Sequence, residues 1–140
     1  VSRGRIREGL PEFWHSFFSF QNSDCVVEAT SGTTDQQGRA FNHGFEIHLE
    51  RATLLFEFSV LNGEGSYLCP PTILDENGKA ERVELGSGDP MDAFAAELRN
   101  VIESVRKNQE SEILNGRLAE DAVKICNMEA ASVAASRVRK

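Results

Sequence analysis

The aromatic residues stop where the helix formers begin. Eight of the nine phenylalanines, the single Trp and the single Tyr all precede residue 88. Large flat side chains suit a pleated surface. Beyond residue 88 come Ala, Leu, Glu, Lys and Arg at helical spacing. Strands first and helices afterwards exclude an alternating parallel fold and define an α+β class. The expected architecture is an open, mainly antiparallel sheet with two long C-terminal helices on one face. It forms one domain over residues 1–140, with strands to about 88 and helices over about 89–136.

Pro11 to Phe20 (PEFWHSFFSF) reads as a strand with large apolar groups on both faces. Phe13 and Phe17 fall on one side, and Trp14, Phe18 and Phe20 on the other. Gln21 to Asp24 is turn chemistry, and Cys25 to Thr30 returns as a second strand. After a polar loop, Phe41 to Glu50 alternates: Phe41, His43, Phe45, Ile47 and Leu49 against Asn42, Glu46, His48 and Glu50. Ala52 to Val60 is the next strand, Asn62-Gly63-Glu64-Gly65 turns the chain, and Ser66 to Cys69 restarts it. Pro70-Pro71 argues for an edge or loop. Asn77-Gly78 supplies two positive φ angles for a two-residue hairpin between Thr72–Leu74 and Arg82–Leu85.

Asp89-Pro90 opens a helix with an N-cap and a first-turn proline. Met91, Phe94, Ala95, Leu98, Val101, Ile102 and Val105 form its apolar stripe, expected to lie on the sheet. A second helix starts at Asn115 or Gly116 and runs to about Ser136, with Ala119, Ala122, Val123, Cys126, Ala130 and Val133 as its stripe. Ser136 to Lys140 could add a short final strand.

Composition excludes several classes. The net charge is −7 and the basic residues are scattered, so no stripe exists to neutralise a nucleic-acid backbone. Three cysteines without a Cys-x-x-Cys argue for free thiols in a reducing compartment, which points to the cytoplasm. No apolar run approaches the roughly 20 residues of a membrane helix. A chain beginning at Val1 with no apolar signal region reads as part of something longer.

No glycine-rich phosphate loop and no nucleophile elbow occurs, and His43 and His48 are five apart on opposite strand faces. Catalytic and metal-ligating residues are therefore not expected. Asn42 and His43 are the candidates for substrate contact: a histidine among phenylalanines can hydrogen-bond a hydroxyl. The alternative is a core histidine satisfied by the backbone. Gly44 would be a bulge that re-aims its neighbours. His15 reads as structural, Glu46, His48 and Glu50 as a polar strand face, Cys69 as an inert thiol and Asp121 as solvated.

Taken in order, these elements resemble the C-terminal domain of the Gfo/Idh/MocA oxidoreductases, the family of glucose–fructose oxidoreductase and inositol dehydrogenase. The resemblance runs from Gly44-Phe45-Glu46-Ile47-His48-Leu49 through Ala52-Thr53-Leu54-Leu55-Phe56 and the hairpin region. It continues through Asp89-Pro90, Phe94-Ala95-Ala96-Glu97-Leu98 and Ala119 to Ile125, and closes on Ala131-Ser132 and Ser136-Arg137-Val138. The resemblance implies NAD or NADP in the full-length protein, held by an N-terminal Rossmann domain absent from this chain. It implies no cofactor bound by this domain itself. It also implies a sugar-like or polyol substrate and a homo-oligomer formed through a sheet face, for which Trp14 and Phe18 are the candidate contacts. Some family members cleave glycosides without net redox change, which is an alternative, as is a stand-alone ligand-binding module. Where inositol-dehydrogenase-like members carry Tyr-Gly-Tyr-Asp, this chain reads His43-Gly44-Phe45-Glu46. Both tyrosines are replaced, and hydrogen bonding would pass to His43 or Asn42. The usual Gly-Glu-x-Gly that follows is Glu50-Arg51-Ala52-Thr53 here.

Overall fold

A computed structural model describes residues 1–33, 38–86 and 89–136. The chain is α+β and mostly strand: β1 (Ser2–Arg7), β2 (Leu10–Phe20), β3 (Ser23–Gly32), β4 (Arg39–His48), β5 (Ala52–Leu61), β6 (Glu64–Asp75), β7 (Ala80–Arg82), α1 (Pro90–Lys107) and α2 (Gly116–Ser136). All strand pairs are antiparallel and sequential. They divide between two sheets, in the orders β1-β2-β3 and β4-β5-β6-β7, instead of extending one. Two units follow from this division: residues 1–34 with 94–140, and residues 35–93.

In the first unit, Glu8 (φ 51°) and Gly9 (φ 86°) form a two-residue turn between β1 and β2. Strand β1 itself was not expected from the sequence; its Ser-Arg-Gly-Arg-Ile-Arg carries one large apolar residue. Ser2 stands opposite Ser16, and their hydroxyls bond at 2.7 Å. Both are buried, and the Ser2 N–H donates to Ser132 Oγ of α2 at 2.8 Å. Small residues let the helix approach the sheet here. Only the C-terminal half of α2 packs: Val133 is fully buried, while Ala119, Ala122, Val123 and Cys126 of the expected stripe are exposed. Asn115 caps α2, its Oδ1 accepting the Leu118 N–H at 2.8 Å.

Trp14 and Phe18 share a strand face with buried Ser16, so they lie on the side that α2 covers, half-buried, not on the open side. The open side presents Phe13 and Phe17. His15 is on that side, its Nδ1 at 2.9 Å from Thr30 Oγ1 of the adjoining strand, which accords with a structural role.

Asp89 caps α1 through a 2.8 Å bond to the Met91 N–H, as expected. The helix ends at Asn108 in the left-handed region (φ 49°), with the Gln109 N–H returning to the Ser104 carbonyl. The stripe of α1 does not find the expected sheet: from Phe94 onwards the helix belongs to the first unit, and among the described residues it packs against none of β1–β3 or α2. Leu98 is 63% exposed.

In the second unit, Asn62 (φ 52°) and Gly63 (φ 86°) make the two-residue turn between β5 and β6. The second Asn-Gly behaves differently. Only Gly78 has positive φ (80°), and Asp75 and Lys79 close a three-residue loop. The Asp75 carboxylate causes this, its Oδ1 accepting the N–H groups of both Asn77 and Lys79 at 2.9 Å. Strand β6 continues through Pro70-Pro71 between β5 and β7, and the pairing with β5 slips on either side of Glu57 to accommodate it. Of the closing strand expected over Ser136 to Lys140, Ser136 instead ends α2, and residues 137–140 lie outside the described residues.

Candidate functional site

The register of β4, β5 and β6 assembles one aromatic face. Phe41 stands opposite Val60, Phe45 opposite Phe56, and Ile47 opposite Leu54. His43 stands opposite Phe58, which in turn faces Tyr67. Ring centroids lie 5.3 Å apart for Phe41–His43, 5.2 Å for His43–Phe56 and 5.7 Å for His43–Phe58. Tyr67 meets Phe56 and Phe58 edge-on at 6.0 and 5.6 Å. Such tilted and T-shaped pairs are the favoured arrangement of aromatic quadrupoles. The face is open: Phe41, Phe45 and Tyr67 are about half exposed.

His43 is the only imidazole on this face. Among the described residues its ring nitrogens have ring neighbours but no hydrogen-bond partner. The alternative of a core histidine satisfied by the backbone is therefore not what the geometry gives. Asn42 points to the other face, opposite Ser59. One ligand on one side of the sheet cannot meet both side chains, so the two candidates are not brought together. The Asn42 face is polar and internally paired. Arg39 reaches Ser59 Oγ and Glu57 Oε1, each at 3.1 Å. His48 Nε2 lies 3.1 Å from Glu46 Oε1, with Nδ1 at 3.3 Å from Thr53 Oγ1.

Gly44 is not a bulge, because the β4–β5 register runs unbroken through it. It is needed for close approach: a Cβ there would come 2.5 Å from the Phe56 carbonyl oxygen. The slip lies on the opposite side of β5, at Glu57, the residue facing Gly44.

Next to the aromatic face is a shallow hollow of about 310 Å³. Phe56, Tyr67, Pro70 and Pro71 line one side and the segment Arg82 to Gly86 the other. A 2.7 Å bond from the Val83 N–H to the Pro71 carbonyl fixes that segment. Sequence reasoning named neither Tyr67 nor Phe56 as site residues. Their positions follow from the parity of paired strands, which a sequence discloses only once the register is known.

Among the described residues no charged acid–base pair stands on the aromatic face. Among the described residues no three His, Cys, Asp or Glu side chains gather as a metal site. Cys25, Cys69 and Cys126 are all free thiols. No described helix is long and apolar enough to cross a membrane.

No family model matches the chain, and no curated protein or solved structure matches it.

Proposed function

We propose that this chain is the sheet-and-helix portion of an NAD(P)-dependent oxidoreductase acting on a sugar or polyol, in which it walls the substrate pocket and contributes to a subunit interface. The observation that supports this most is an unpartnered imidazole, His43, set among Phe41, Phe56 and Phe58 beside the Tyr67 hollow. Aromatic faces accept the C–H side of a polyhydroxylated molecule, while the imidazole nitrogens and the Tyr67 hydroxyl can bond its hydroxyls. The chemistry of hydride transfer belongs to the nicotinamide. Its phosphates need a glycine-rich loop that this sequence lacks, so the residues here bind and orient substrate only. Asn42 has no part in that site, and His43 carries the polar contact.

The lining by Phe56, Tyr67, Pro70 and Pro71 also favours a second reading, a binding module for a mainly apolar ligand. Fold class does not separate the two. Titrating the isotope-labelled chain with a panel of sugars and polyols does. The oxidoreductase reading expects amide and ring shifts at His43, Phe56 and Tyr67 that His43→Ala weakens. Shifts produced only by apolar ligands would replace it with the second reading.

A further inference from the structure

Charge, bulges and shortness are the usual means of keeping a sheet edge from pairing. Three of the four edge strands use them. β7 has only three residues. β1 carries Arg3, Arg5 and Arg7 and shifts register between Arg5 and Ile6. β3 shifts register after Ser23 and carries Asp24 and Glu28. From Phe41 to His48, β4 lacks such protection. Its register with β5 is unbroken there, it holds no Pro or Lys, and its one carboxylate, Glu46, lies 3.1 Å from His48. Every residue of the strand is exposed, and among the described residues it packs on β5 alone. The whole strand lies in the second unit.

The Leu49 N–H donates to the Ala52 carbonyl at 2.8 Å. Bonded and non-bonded pairs alternate along an antiparallel ladder, so Ile47, Phe45, His43 and Phe41 turn their backbone groups to β5. Asn42, Gly44, Glu46 and His48 turn theirs outward, with no strand beside them among the described residues. We infer that β4 pairs antiparallel with the β4 of a second copy, about a two-fold axis at Gly44. The strand's own sequence chooses this occupant, because it complements itself when read backwards. Only even-numbered positions face outward, so the axis must pass through a residue. At Gly44 no side chain meets its own copy on the axis. Asn42 then stands opposite the partner's Glu46, an amide donor beside a carboxylate. On the aromatic side His43 stands opposite the partner's Phe45, and Phe41 opposite the partner's Ile47. Moving the axis one residue either way leaves Glu46 opposite Ala40 or Gly44 instead of an amide. A two-fold axis normal to the sheet keeps both aromatic faces on one side. The partner's Phe45 thus joins Phe41, Phe56 and Phe58 around His43, and each copy completes the surroundings of the other's imidazole. An isologous contact of this kind closes at a dimer.

Amide hydrogen exchange over a range of chain concentrations, with sedimentation velocity alongside, tests this directly. The amides of Asn42, Gly44, Glu46 and His48 are expected to gain protection as the chain dimerises. Those of Phe41, His43, Phe45 and Ile47 should be protected at every concentration. Asn42→Pro removes an outward N–H and spares the bonds to β5, so it should abolish the dimer with circular dichroism unchanged. Should that variant unfold, Asn42→Lys with Glu46→Lys answers the same question, because lysines then face each other across the pair and should break it. Asn42→Lys alone sets a lysine opposite the partner's Glu46 and should tighten the dimer severalfold. A wild-type chain that stays monomeric overturns the inference. So does a dimer whose four outward amides exchange freely, which would put the interface on another surface. A dimer that Asn42→Lys does not tighten, or that the double lysine variant leaves intact, overturns the register at Gly44.

Discussion

The three-stranded sheet of the first unit carries α2 across β1 and β2, while the four-stranded sheet of the second has no helix of its own unit over either face among the described residues. Both are antiparallel, and both turn on tight hairpins with positive-φ residues. Their aromatic content is similar. What differs is the size of the side chains at the helix contact. Ser2, Ser16 and Ser132 allow α2 to close on the first sheet, and Val133 becomes fully buried. In the second unit the large rings of Phe41, Phe45, Phe56, Phe58 and Tyr67 stack against one another across the strands and leave a half-exposed face. One sheet is held by burial under a helix, the other by cross-strand pairing.

The contrast breaks most sharply at Val133. Val133→Asp puts a charge with no partner under the helix of the first unit, at a cost of about 3–5 kcal/mol. Trp14 is the only Trp and lies in that unit. Its fluorescence in urea should therefore show a much lower unfolding midpoint, while amide exchange in β5 stays as in the wild type. Equal loss in both units would mean that they unfold as one.

A smaller effect is expected at Gly44. Gly44→Ala forces a Cβ toward the Phe56 carbonyl and should cost about 1–3 kcal/mol by overpacking. Hydrogen exchange at the amides of β4 and β5 should accelerate, and Trp14 emission should not change. Unaltered protection at Phe45 and Phe56 would show that the strands yield freely.

Ser16→Ala strands the buried Ser2 hydroxyl and should cost about 1–3 kcal/mol, whereas Ser2→Ala with Ser16→Ala together should cost less than the sum of the two. A double-mutant cycle by urea unfolding measures the difference. Strict additivity would mean that the 2.7 Å contact contributes nothing specific.

The smallest effect is at the β6–β7 turn. The Lys79 N–H, chiefly, holds the Asp75 carboxyl below the ordinary aspartate value of 3.8, with the Asn77 N–H adding to it. A lowered carboxyl stabilises the turn fully above its unfolded pKa, and that stabilisation is lost as the pH falls through the folded value. The amide shifts of Asn77 and Lys79 should thus titrate with a midpoint below 3.8. A midpoint at or above it would mean that the carboxylate does not close the loop in solution.

Much of the local structure was legible from the residues. Alternation over Phe41 to Ile47 gave β4, and the Asp89 and Asn115 caps gave the helix starts. Strand β1 was missed because Ser-Arg-Gly-Arg-Ile-Arg has neither alternation nor aromatic enrichment; it is a strand because β2 pairs with it. The candidate site was half legible. His43 does sit among phenylalanines, but the sequence could not show that Phe56, Phe58 and Tyr67, from two other strands, complete its surroundings. The pairing of Asn42 with His43 in one site ignored the period of two that sends neighbours to opposite faces.

By itself the sequence determined the class of the chain, the order of its elements from β2 onwards and which residues share a strand face, because these follow from propensity, capping and periodicity within a few residues. It also determined the Asn-Gly turn at Asn62-Gly63, whereas the two-residue turn expected at Asn77-Gly78 gave way to a three-residue loop closed by the Asp75 carboxylate. Only the tertiary structure decided that the strands divide into two sheets, that α2 covers the Trp14–Phe18 side of β2, and that the stripe of α1 lies open within its unit. An amphipathic pattern specifies that a face seeks cover, since burial of apolar area is non-directional; which surface supplies the cover depends on where side chains are small enough for close approach.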